Sequence, residues 1–287
     1  GKTTVVGSLS ELTHNKVLAD NDVDAADLHL LLTPQTLEAH EFVGGAKATT
    51  NPEKCVGCSR CATACHFDAI RLDGPANDVI AATYRIDQFA CEGCGLCSIV
   101  CPVDAVEKTP AVVGNWFVSE TLQGPMVHAK LGIAEENSGR LVAQVRQRAA
   151  ELAREQEREL ILGDGPPGTG CPVIASVSGA DLVLIVTEPT VSGVHDMERV
   201  LQLAKHFAVP ARVIINKADL NSDQADRIDR LAAAAGAPVI ARIPFDHNVN
   251  DALMAGKTVV SHDKGPAAHA MHQVWDAVKY ELKEMQP

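Results

Sequence analysis

The sequence predicts an α/β chain built on a doubly wound, mainly parallel sheet, interrupted by a smaller α+β unit rich in cysteine. Three observations predict it: recurring aliphatic runs, amphipathic stretches between them, and a change of composition over residues 51–108. The aliphatic runs are VLAD (17–20), LILGD (160–164), DLVLIVTEP (181–189), ARVIINK (211–217) and PVIARIPF (238–245). Each ends in polar or turn residues and reads as a buried strand of a sheet covered on both faces. Residues 138–156 place Leu141, Val142, Val145, Ala149 and Leu152 on one helical face opposite Arg and Glu. Residues 194–207, 222–235 and 266–284 read the same way. Strand–helix alternation of this kind puts ligands at the C-terminal strand ends.

Composition narrows the function classes. The 287 residues are 46% apolar and 22% charged, enough for a large core and too apolar for disorder. Aromatics make up only 3%, so the core is aliphatic. A net charge of −12 argues against a non-specific nucleic-acid binder, which needs cations to displace counterions from phosphates. No run reaches the roughly 18 apolar residues of a membrane span, and no signal peptide is visible. Nine cysteines in a chain without secretory features read as reduced thiols, and a cytoplasmic location is expected.

Eight of those cysteines form a repeat. CVGCSRCATACHFDAI (55–70) matches CEGCGLCSIVCPVDAV (91–106) at every cysteine and at the following Asp-Ala-aliphatic. Each run has the spacing C-x2-C-x2-C-x3-C. Three thiolates on a tight loop can hold three corners of a [4Fe–4S] cubane, while the fourth reaches the other cluster. Cys55, Cys58, Cys61 and Cys101 are therefore assigned to one cluster, and Cys91, Cys94, Cys97 and Cys65 to the second. A pair of structural zinc sites is the alternative. The segment resembles a bacterial two-cluster ferredoxin, with His66 standing where the second run has Pro102.

The chain begins GKTT, which resembles the end of a P-loop opening a helix. Three strand ends carry polar residues on the same predicted edge: VLAD into DNDVDAADLHLLL, LILG into DGPPGTGCPVIAS, and ARVIIN into NKADL. With WFVSET, GPMVHAKLGIAEENSG and TEPTVSGVHDMERV, these motifs resemble the MinD/ParA/Mrp group of P-loop ATPases over nearly the whole chain. More narrowly, they resemble a MinD-type ATPase with an inserted ferredoxin domain.

The resemblance implies roles residue by residue. Gly1 belongs to the phosphate loop, Lys2 is the phosphate-binding lysine, Thr3 the Mg²⁺ ligand and Thr4 an α-phosphate contact. Asp22 is the switch acid that positions attacking water. Asp164 holds Mg²⁺ through water, Gly168 offers its amide to the γ-phosphate, and Asn216 contacts the base. Lys2, Asp22 and Asp164 form the catalytic set. Taken without the family, Asp22 reads more readily as a solvated turn acid, while Asp164 could cap a helix, although the Pro-Pro-Gly after it favours a switch loop. NKAD also resembles the guanine-reading motif of GTPases, although the remaining motifs favour ATP. The family's loop starts with a strand and KGGxGKT, which are not in this sequence, so the chain as it stands is expected to bind ATP poorly.

The expected organisation is an ATPase domain at residues 1–44 and 109–287 with a two-cluster ferredoxin insertion at 45–108. Expected ligands are ATP, Mg²⁺ and two [4Fe–4S] clusters, and expected partners are a second copy in an ATP-dependent homodimer and a redox or assembly protein. The first functional reading is an ATPase coupling nucleotide state to electron transfer. The others are a nucleotide-dependent positioning switch, and an electron carrier on an inactive nucleotide fold. Cys171 is expected to be a buried thiol. The absence of a further CxxC after Cys101 weighs against cluster delivery, and the acid-bearing stretch 267–287 reads as a docked helix rather than a membrane anchor.

Overall fold

The computed structural model describes residues 1–132, 138–262 and 264–285. The family motif at 124–139 therefore has residues 133–137 outside the described residues, as are 286–287 of the C-terminal stretch. Among the described residues the strands are β1 (Lys16–Asp20), β2 (Gln35–Thr50), β3 (Ile70–Gly74), β4 (Thr83–Ile86) and β5 (Val106–Thr121). They continue with β6 (Gly124–Leu131), β7 (Leu160–Asp164), β8 (Val183–Thr187), β9 (Ala211–Asn216) and β10 (Val239–Ile243). The helices are α1 (Lys2–Leu12), α2 (Leu28–Leu32), α3 (Arg60–Ala64), α4 (Leu96–Ile99), α5 (Ser138–Glu155) and α6 (Cys171–Val177). After these come α7 (Val191–His206), α8 (Ser222–Ala234), α9 (Asn248–Met254), α10 (Val259–His262) and α11 (Pro266–Glu284).

The chain forms two compact units, one of residues 1–39, 116–130 and 138–287 and one of 40–115 and 131–137. It passes between them within β2, within β5 and at the last residue of β6, Leu131. One sheet runs in the order β2-β5-β6-β1-β7 and another β10-β9-β8. The β1 strand lies parallel to β6, with Leu18 opposite Met126, and parallel to β7, with Asp20 opposite Asp164. The β9 strand is parallel to both β8 and β10.

Alternation along β9 explains why helices cover both faces. Ile214 packs with Val5 and Leu9 of α1 and Met271 and Val274 of α11. Its neighbours Val213 and Ile215 point the other way, into Met197 and Leu201 of α7 and Ile228 of α8. A strand buried on both sides has no polar face, as its aliphatic run requires. The α11 helix docks through Ala267, Ala268, Met271, Val274 and Val278, as the acid-bearing amphipathic pattern predicts.

Two features depart from the sequence reading. The run LILGD reads as a buried strand, yet Ile161 is 43% exposed. The reason is topological: β7 is the last strand of its sheet and no ladder joins it to β8. The long β2 strand had no alternation to betray it, because Gln35 through Glu41 are all exposed.

The second unit has a small core: Ala48, Ala69, Ile70, Ile86 and Val106 packed with Cys61, Cys91 and Cys97. Its hairpin β3–β4 pairs Ile70 with Ile86. The duplication is written in the backbone as well as in the cysteines. Gly57 and Gly93, Ser59 and Gly95, and Asp68 and Asp104 occupy matching repeat positions, and all six have positive φ.

Candidate functional sites: two cysteine-lined cavities and a buried acid cluster

In the second unit the cysteines fall into two groups of four. Cys55, Cys58, Cys61 and Cys101 line one cavity, together with Thr50, Val56, Tyr84 and Val103. Cys65, Cys91, Cys94 and Cys97 line another, with Phe67, Ile70, Ile86 and Leu96. The fourth cysteine of each run thus faces the cavity of the other run. Among the described residues no three His, Cys, Asp or Glu side chains close on one point as a lone metal ion requires. Thiols spread around a cavity instead suit a bulky cluster. Burial pushes the Cys61 and Cys97 thiols up, so in the absence of metal they stay protonated, and metal binding would have to displace those protons into solvent.

Backbone geometry explains the small residues in these loops. Gly93 has φ of 65°, and a Cβ there would lie 1.8 Å from the Ala46 carbonyl oxygen. Only glycine fits. Asn77, which the sequence reading did not single out, staples the first loop. Its Nδ2 donates to the carbonyls of Pro52 and Cys55, both at 2.7 Å. Its Oδ1 accepts from the N–H groups of Val79 and Ile80 at 2.9 Å. An isolated Asn near a proline carries no spacing signal, so it was invisible beforehand. The Ala105 N–H donates to Cys101 Sγ at 3.2 Å.

In the first unit, α1 starts at Gly1 with no side-chain cap, leaving first-turn N–H groups that favour an anion. Lys2 Nζ is buried without a hydrogen-bond partner. Burial lowers its pKa, while Asp22 and Asp164 oppose that shift. Thr3 hydrogen-bonds the Asp164 carboxylate. Thr4 is buried within the helix, where its carbonyl accepts from Ser8 Oγ at 2.9 Å. Gly1 lies against Asn216, with an added Cβ 3.1 Å from Asn216 Nδ2. Gly168 has φ of 85°, and no atom lies within 4 Å of a Cβ built there.

Asp164 and Asp22 do more than the simpler readings require. The α6 helix takes Gly170 as its N-cap, so Asp164 caps nothing. Asp22 does accept a turn bond from the Ala25 N–H, yet it also faces Lys2. Asp20, not singled out from sequence, joins them. It is fully buried at the end of β1, opposite Asp164. One carboxylate oxygen accepts from the Asp22 N–H at 3.2 Å, and the other has no partner. Asp164 Oδ1 and Asn21 Oδ1 are likewise buried and unpartnered. Burying such atoms without partners costs about 1–3 kcal/mol each, so this cluster fits a hydrated cation beside the Lys2 ammonium.

The pKa shifts agree. Burial, then the neighbouring Asp164, pushes Asp20 up to about 8. Burial pushes Asp164 up to about 6, with Thr3 and Lys2 opposing. Protons held this way stabilise the fold fully below the ordinary carboxylate range, and that stability is lost as pH rises through about 6 and then about 8. A Mg²⁺ ion held by these residues would need the ionised acids, so its stabilising effect would grow over the same window. Thermal stability in EDTA is expected to fall between about pH 5 and 9 and to be restored by Mg²⁺ only at the upper end. An equal Mg²⁺ effect at both ends would contradict this assignment.

Cys171 corrects an expectation: it is exposed rather than buried, because it occupies the first turn of α6 directly after the Gly165–Gly170 loop. Among the described residues, no helix is long and apolar enough to cross a membrane.

Comparisons with known proteins converge on the same two parts. Residues 54–105 match the model of the 4Fe–4S dicluster domain. An uncharacterized protein of Methanocaldococcus jannaschii, MJ0578, is 29% identical over 283 residues, covering 97% of this chain and 92% of that one. An iron–sulfur cluster carrier protein of Pyrococcus abyssi is 26% identical over 141 residues, covering 44% and 47%. The septum site-determining protein MinD of Pyrococcus horikoshii, solved with Mg-ADP, superposes with a TM-score of 0.55 at 15% identity, covering 100% of this chain and 93% of that one. The chain therefore combines a MinD/ParA-like fold, with its mainly parallel sheet, and a segment matching a ferredoxin-type 4Fe–4S dicluster domain.

Proposed function

We propose that this protein is an Mg²⁺-dependent ATPase that couples nucleotide state to electron transfer through two [4Fe–4S] clusters. The observation that carries the reading is the orphaned group at the start of α1: Lys2 Nζ, Asp20 Oδ2 and Asp164 Oδ1, buried together without partners. Phosphoryl transfer asks for neutralised phosphate charge and a held water rather than covalent chemistry. Mg²⁺ bound near Thr3, Asp164 and Asp20 would neutralise the phosphates. Lys2 and the free N–H groups of α1 bind them, Gly168 offers an amide, Asp22 orients the attacking water, and Asn216 meets the base.

On the cluster side, Cys55, Cys58, Cys61 and Cys101 hold one [4Fe–4S] group and Cys65, Cys91, Cys94 and Cys97 the other, making the segment an electron carrier. Chain continuity supports coupling between the two activities. The acids lie at and just beyond the end of β1, and β5 carries the chain from the cysteine-bearing unit at Asn115 into the first unit at Trp116. An ATP-dependent homodimer, a cytoplasmic location and a redox partner protein belong to the same proposal.

The test is steady-state MgATP hydrolysis by the full-length, cluster-loaded protein, oxidised and reduced under anaerobic conditions. Turnover that changes severalfold with redox state supports coupling. Equal turnover in both states leaves a nucleotide switch whose clusters serve docking. Failure to turn over in either state leaves an electron carrier on a silent nucleotide fold.

A further inference from the structure

The two cysteine-lined cavities are built from matching positions of the repeat and differ in what those positions carry. Aligning Cys55 with Cys91 sets Thr50 against Ile86, Val56 against Glu92 and Val103 against Phe67. The first residue of each pair lines one cavity and the second lines the other. Backbone bonds support the match. The Asn51 N–H donates to the Ala105 carbonyl at 2.7 Å, and the Asp87 N–H to the Ala69 carbonyl at 2.8 Å. Asn51 Oδ1 accepts from the Glu53 N–H and Asp87 Oδ1 from the Phe89 N–H, both at 2.9 Å. Thr50 and Ile86 thus hold equivalent places, each one residue ahead of the same turn.

Matching cysteines share the same burial. Cys55 and Cys61 are buried like Cys91 and Cys97, Cys58 and Cys94 are exposed, and Cys65 and Cys101 lie between. Solvent exposure, one lever on a cluster's potential, is therefore balanced, which leaves hydrogen bonds and charge. Thr50 Oγ1 is buried without a hydrogen-bond partner. The other side chains around its cavity are four thiols, aliphatic groups and Tyr84. Burying a hydroxyl unpaired is unfavourable, and a sulfur atom held among those thiols would accept from it. Ile86 offers no donor at the equivalent place, and Glu92 brings an acidic group where the first cavity has Val56.

An added electron is added negative charge, which an O–H donor stabilises and a carboxylate opposes. We infer that Thr50 donates to the cluster held by Cys55, Cys58, Cys61 and Cys101 and makes it the more oxidising of the two, so that the first electron rests there. A one-electron reductant that reaches the Cys91 side passes its electron on to the Cys55 side. One cluster loses what the other gains, and no bond or proton moves.

This assignment rests on the two-cluster reading above and can fail separately from it. The experiment is iron and sulfide analysis followed by an anaerobic redox titration monitored by EPR, with dithionite as reductant, on the full-length, cluster-loaded protein. Thr50→Val keeps the shape and removes the hydroxyl, Thr50→Ser keeps the hydroxyl, and Ile86→Thr adds one to the other cavity. Wild type is expected to titrate in two one-electron steps separated by about tenfold or more in the reduction equilibrium, or about 59 mV. Thr50→Val lowers the upper step by about tenfold and leaves the lower one in place. Thr50→Ser keeps the wild-type separation, and Ile86→Thr raises the lower step. Coincident steps in wild type overturn the inference, as does an upper step that Thr50→Val leaves unmoved. Loss of iron in Thr50→Val, with Ile86→Thr titrating as wild type does, makes Thr50 structural and overturns it too. A wild type that holds fewer than two clusters overturns the two-cluster reading and this inference with it.

Discussion

Asp22→Ala is expected to lower MgATP turnover by about 10²–10⁴-fold, the range for losing a side chain that handles or orients the reacting water, while nucleotide binding persists. The separation follows from position. In the proposed mechanism, phosphate charge is met by Lys2 and the N–H groups of α1, and Mg²⁺ by Thr3 and the buried acids. Asp22 is only half-buried, lies beyond the end of β1, and faces the Lys2 ammonium. Removing its carboxylate takes away one side of that pairing without emptying the cation site. Single-turnover hydrolysis and MgADP binding, measured side by side, check it. Loss of binding together with turnover would move Asp22 from water positioning to cation or phosphate binding.

Cys97→Ser has the largest structural effect expected in the second unit. Cys97 is a cavity-lining thiol and also part of the small apolar core with Ile70, Ile86 and Cys91. Serine replaces a soft ligand with a hard one and buries a hydroxyl among aliphatic side chains. Purified variant protein is expected to carry roughly half the iron and sulfide of wild type, one cluster of two. Because metal binding and folding are coupled in small metal domains, the unit's unfolding transition falls with it, while the transition of the nucleotide-type unit holds. Iron and sulfide analysis with calorimetry reads both. Full iron retention would show that Cys97 is not a ligand.

Much of this architecture was legible from residues alone, and the reasons are physical. Strands buried on both faces, such as β9, must be aliphatic throughout, and helices such as α5 must present one apolar stripe, so both periodicities announce themselves. Cluster ligands are equally visible because local spacing around a cubane constrains the chain. What stayed hidden depends on tertiary neighbours. The exposed start of β2 has no apolar alternation. The open edge of β7 exists only because no ladder joins it to β8. Asp20 sits among several acids of one turn, and only pairing with Asp164 distinguishes it. Asn77 acts through four backbone groups on both sides of it, which no spacing encodes. Exposure of Cys171 follows from its place in the first turn of α6 rather than from the aliphatic residues after it.

The measurement that tests the central claim most directly is the midpoint potential of both clusters with and without MgATP, taken anaerobically on the full-length protein. Coupling predicts a shift of about 59 mV or more in at least one cluster, which for a one-electron couple is about 1.4 kcal/mol, or tenfold. By linkage, the same factor must then separate the MgATP affinities of the oxidised and reduced protein. Potentials that do not move while MgATP is demonstrably bound would contradict the account, leaving two modules that share a chain and act independently.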